Sequence, residues 1–119
     1  MKICVTAQSP DKDASVAPRF GRAPHFMIYD DQTDTYEPIK NVQNMAAAAG
    51  AGIQSASTVA DAGAEVVLTG HIGPKAMSVL QRAEIQVAVG AEGTVRQAIQ
   101  DYKSGKLEPT EEADKAPHW

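Results

Sequence analysis

A chain of 119 residues, 43% hydrophobic and 22% charged, is sized for one domain around one core without covalent staples. Its 11 basic and 15 acidic side chains leave a net charge of -4, which argues against nucleic acid as a general partner because phosphate backbones want a basic surface. The single cysteine, Cys4, excludes an intramolecular disulfide and an all-cysteine metal site.

The first apolar run, KICVTA at 2–7, is rich in β-formers and predicts a buried strand, β1. An irregular stretch with three prolines follows, expected to be neither helix nor strand. HFMIYD at 25–30 predicts β2, DQTD is turn chemistry, and TYEPIK at 35–40 predicts β3. Pro38 cannot donate to a ladder, so β3 belongs at a sheet edge. Helical spacing of Ile53, Ala56 and Ala60 predicts α1 from about Gly50 to Ala62. AEVVLTG at 64–70 is a continuous apolar run, the mark of a strand covered on both faces: β4. Ala76, Val79, Leu80 and Ala83 line one side of a predicted α2 over 73–84, with Pro74 at its start. IQVAVG at 85–90 predicts β5. Thr94 and Gln97 give a capping-box pattern opening α3 over 94–105, which Gly105 ends. Residues 1–105 thus form a single α/β domain, and 106–119 a polar tail expected to be mobile. No N-terminal apolar leader and no run near the ~20 residues of a membrane span is visible. A cytoplasmic protein is expected.

Short β-to-β links favour antiparallel pairing, and helical crossovers demand right-handed parallel pairing. The economical solution is a five-stranded mixed sheet, order 3-2-1-4-5, with only β2 reversed and helices on both faces. Ligands of such sheets sit beyond the carboxyl ends of the parallel strands, at the switch point between β1 and β4. Four loops meet there. One carries Arg19, Phe20, Gly21 and Arg22. The next carries Asn41, Asn44 and Met45. The third carries Thr69, Gly70, His71, Ile72 and Gly73. The last is GAEGT, with Gly90 and Gly93. Three helices begin on this edge, and their free N–H groups favour anions. Glycines at the helix starts would let a ligand approach the backbone. Two guanidiniums over helix termini make a place for a polyanion, although both arginines could equally pair with Asp11, Asp13 or the tail. His71 suits a structural hydrogen bond as well as a ligand, and Cys4 reads as core filler. No phosphate-binding P-loop, dinucleotide fingerprint or serine elbow occurs, and β1 bears no carboxylate to organise metal.

PRFGRAPHFMIYD and VVLTGHIGPKAMSVLQRAEIQVAVGAEGTVRQAI, taken together at this spacing, resemble the dinitrogenase iron–molybdenum cofactor biosynthesis family, which contains NifX and the C-terminal part of NifB. The likeness covers nearly all of residues 1–105. It implies a ribonuclease-H-like fold and a noncatalytic role in holding or delivering a molybdenum–sulfur species. Small stand-alone members imply a noncovalently held molybdenum–copper sulfide cluster, and MinD/Mrp-like ATPases as partners. A sulfide-rich polyanion that completes its own metal coordination needs no protein thiolate. It needs cations, N–H donors and apolar surface, which Arg19, Arg22, Gly73, Phe20, Ile72 and Met45 could supply. His71 could donate to a sulfide or ligate a metal. Iron–molybdenum cofactor itself is the alternative cargo, less favoured because an iron–sulfur carrier would show more cysteines. From another class, a regulatory module for a phosphorylated metabolite would use the same edge.

Overall fold

The computed structural model describes residues 1–41, 51–111 and 113. Among the described residues, five strands and three helices follow one another as β1 (Lys2–Ala7), β2 (His25–Asp30), β3 (Thr35–Lys40), α1 (Ala51–Asp61), β4 (Val66–Leu68), α2 (Pro74–Arg82), β5 (Gln86–Ala88) and α3 (Val95–Lys103). They form one sheet in the order β3-β2-β1-β4-β5. β2 runs antiparallel to both neighbours, while β1, β4 and β5 are parallel.

The period-2 alternation of strands decides which side chain serves which face. Ile3, Val5, Met27, Tyr29 and Leu68 join Val95, Ala98 and Ile99 of α3 in one cluster. Cys4, Phe26, Ile28, Val67 and Val87 join Ala56 and Val59 of α1 and Ala76, Met77 and Leu80 of α2 in the other. Each face is therefore covered, and β4 is buried throughout. β3 is mostly exposed, as an edge strand must be, and Pro38 sits in its middle opposite Met27.

β1, β2 and β3 occupy the expected spans. β4 and β5 are shorter than their apolar runs, because the residues at their ends bond outside the ladder. Thr69 donates to Ala88 O at 3.1 Å, Ala91 to Thr69 O at 3.0 Å and Gly90 to Gly70 O at 2.8 Å. The stretch between β1 and β2 is not structureless. It contains a single 3-10 turn, Phe20–Arg22, and bridges from Val16 to Ala7 and from Ser15 to Thr94. The tail does not leave the domain at once: Thr110 pairs with Val87 of β5. Among the described residues no helix is long and apolar enough to cross a membrane.

Candidate functional site

β1 ends in Thr6 and Ala7, and the chain turns back over the sheet. Ala17 donates to Thr6 O at 2.9 Å, and the buried Thr6 hydroxyl donates to Ala17 O at 2.8 Å. The same hydroxyl lies 3.0 Å from Thr69 Oγ1 at the end of β4. This fixes the loop from β1 beside the loop from β4. His71 N–H then donates to Pro18 O at 2.8 Å and Phe20 N–H to His71 O at 3.1 Å, a short parallel ladder in which Arg19 faces His71. The RFGR and TGHIGP segments are thus joined through their backbones.

Alternation along this ladder sorts the side chains. Phe20 and Ile72 both enter the core on the α1/α2 face, and the Phe20 ring packs 5.5 Å from that of Phe26. Burial of each contributes about 1.5–3 kcal/mol, which makes them anchors of the rim. Their neighbours Arg19 and His71 are sent to the other side, toward solvent: Arg19 is exposed, and His71, Gly21, Arg22 and Gly73 are half-buried. Gly70 has a packing reason of its own. A Cβ there would stand 2.6 Å from Pro18 O and 2.9 Å from Pro18 Cα, so the glycine lets the two loop backbones touch.

The helix N-termini differ in availability. α2 is open: Gly73 brings no side-chain cap, Pro74 has no N–H, and the first turn holds no carboxylate. Its remaining first-turn N–H groups and dipole face the rim. α3, expected to contribute similarly, is closed. Val95 N–H donates to Ala14 O at 2.9 Å, Arg96 N–H to Lys12 O at 3.0 Å, and Gln97 N–H to Thr94 Oγ1 at 3.1 Å. The capping box is half-formed, since the Gln97 amide turns to Asp101 instead of reaching back. Asp13, one candidate partner for the rim arginines, pairs with Arg96.

Asn41 and Thr69 are fully buried. The Asn41 amide donates to Ala23 O at 2.8 Å and accepts from Ser55 Oγ at 3.1 Å, tying the end of β3 to the 3-10 turn and to α1. Both side chains hold the rim from beneath. Asn44, Met45 and His118 lie outside the described residues. Cys4 is completely buried at the sheet centre, and desolvation pushes its thiol far above the ordinary range. No group of three or more His, Cys, Asp or Glu residues able to hold a metal ion occurs among the described residues. Three contributors escape sequence reading. Thr6 and Pro18 have no local signature, whereas exposed Lys75, in the first turn of α2, follows directly from the glycine–proline helix start.

Among the described residues the rim can therefore offer cationic side chains, the His71 imidazole and the open start of α2, with no thiolate. Residues 1–105 match the family model described as dinitrogenase iron-molybdenum cofactor. The chain is similar to the apo form of the orange protein from Desulfovibrio gigas, at 42% identity and a TM-score of 0.93, with 96% of each chain covered. It is also similar to a Thermotoga protein of the DUF35 family, proposed to be a NifB protein and solved by NMR, at 27% identity and a TM-score of 0.84, covering 96% of this chain and 97% of that one. An uncharacterised protein of Methanocaldococcus jannaschii is 31% identical over 113 residues, which span 93% of this chain and 92% of that protein.

Proposed function

Since the chain belongs to the dinitrogenase iron–molybdenum cofactor family, whose members handle that cofactor as carriers or in its biosynthesis, we propose that it is a noncatalytic holder of an anionic molybdenum–copper sulfide cluster, seated on the rim at Arg19, Gly21, Arg22, His71 and Gly73. The carrying observation is the Arg19–His71 bridge. It brings two loops from opposite sides of the β1/β4 switch point together, buries Phe20 and Ile72, and turns a guanidinium and an imidazole to the same outer side beside the uncapped start of α2.

The chain's one cysteine, Cys4, is sealed in the core, and no ligand cluster occurs among the described residues, which favours a cargo that brings its own sulfur coordination. The protein then acts by charge and N–H donation. Arginine guanidiniums are weakly hydrated and spread their charge, which suits a large, soft anion. The α2 dipole adds positive potential where no acidic side chain cancels it. His71 adds an imidazole that could donate to a sulfide or ligate copper.

The test is reconstitution with tetrathiomolybdate and copper. Wild-type protein is expected to acquire a visible chromophore in fixed stoichiometry. The triple variant Arg19→Ala, Arg22→Ala, His71→Ala is expected to lose it while keeping its circular dichroism. A folded triple variant with undiminished chromophore would remove these residues from the site. Binding of inorganic phosphate with no metal uptake would favour a phosphorylated metabolite instead.

A further inference from the structure

A five-stranded open sheet has two edges, and each is a template for pairing with another chain. The β3 edge protects itself: Pro38 interrupts its donors, and exposed Glu37 and Lys40 place charges along the strand. β5 has no such protection. Its residues are Gln86, Val87 and Ala88, without a proline or a charge. What covers it is the chain after α3. Lys106 and Leu107 N–H groups donate to Asp101 O at 2.9 and 3.1 Å, which turns the chain out of α3. Leu107 packs on the α3 side of the sheet, and Ala113 packs on the α1/α2 side. Between them the segment passes the β5 edge. Thr110 N–H donates to Val87 O at 2.7 Å in an antiparallel bridge, and Gln81 Nε2 of α2 donates to Glu111 O at 2.7 Å.

We infer that residues 107–111 are an intramolecular guard, and that the β5 edge beneath them is a self-association surface fitted to β5 of a second copy. The guard occupies the edge as a partner strand would, in antiparallel sense, with Thr110 bridged to Val87. Removing it leaves the Val87 carbonyl unpaired at an apolar edge. Antiparallel β5-to-β5 pairing about a twofold axis would satisfy both copies at once, because such an interface is self-complementary. This inference does not depend on the cargo.

The test is solution mass, by light scattering after size exclusion across a wide concentration range. The full chain and a chain ending at Ala113 are expected to be monomers. A chain ending at Gly105 is expected to double in mass as concentration rises. Adding Gln86→Lys to that short chain sets like charges on the pairing strands and is expected to restore the monomer. Should the short chain fail to fold, full-length Thr110→Pro decides. It removes the donor to Val87 and keeps Leu107 and Ala113. A folded Thr110→Pro variant or a folded short chain that stays monomeric overturns the inference. So does a dimer that persists with Gln86→Lys, or one already formed by the full chain or by the chain ending at Ala113.

Discussion

Replacing Gly70 by alanine tests the rim directly. The new methyl would meet Pro18 O at 2.6 Å and Pro18 Cα at 2.9 Å, both backbone atoms that cannot rotate away. Overpacking at a fitted site costs about 1–3 kcal/mol. If the two loops part to admit the methyl, the His71-to-Pro18 and Phe20-to-His71 bonds weaken as well, at about 1 kcal/mol each. With both bonds lost the expected cost is therefore about 3–5 kcal/mol, a large share of the ~5–15 kcal/mol that holds a domain together. Urea unfolding followed by circular dichroism should show a lower midpoint with an unchanged slope. Gly105→Ala is the control: φ there is +86° and nothing lies within 4 Å of its would-be Cβ, so only conformational strain of about 1 kcal/mol applies. If Gly70→Ala loses no more than the control, the glycine is not there for loop contact, and the stapled rim is misread. Chromophore uptake by the folded fraction should also fall, because the outward pair rides on that contact.

Asn41→Ala removes one donor and one acceptor from a fully buried junction and is expected to lose about 2–3 kcal/mol in the same denaturation assay. Thr94→Ala deletes the α3 cap and is expected to lose about 1 kcal/mol, with reconstitution unaffected because that helix start is already closed. Cys4, with its thiol raised by burial, is expected to resist alkylation in native protein at neutral pH and to react at the rate of unfolding in mild urea. Fast native labelling would contradict the burial. Native reactivity should rise with pH only where alkali begins to unfold the chain.

The sheet was largely readable from sequence because its strands are short apolar runs separated by strong turn chemistry, and Pro38 named an edge without help. The strand ends were not. Thr69 and Gly70 continue an apolar pattern, yet their backbone groups go to Ala88, Ala91 and Gly90 rather than to a ladder that pattern could reveal. The same limit applies to the rim. Arg19 and His71 were legible as chemistry-bearing residues on loops that the topology brings together. That Thr6, Thr69 and Asn41 serve as supports depends on partners 11 to 63 positions away, such as Ala17 for Thr6 and Ser55 for Asn41, which no local pattern announces. The closed start of α3 was illegible for that reason too, since the carbonyls that fill it belong to Lys12 and Ala14.

Connecting segments ordinarily open at little free energy, which lets them mould themselves around what they bind. The backbone staple between Pro18 and His71 changes that here. Amide protons of Phe20 and His71 should exchange almost as slowly as those of β1, because freeing them requires pulling two aromatic and aliphatic plugs out of the interior. Along this stapled stretch a visitor meets a finished shape, and accommodation there has to come from the visitor.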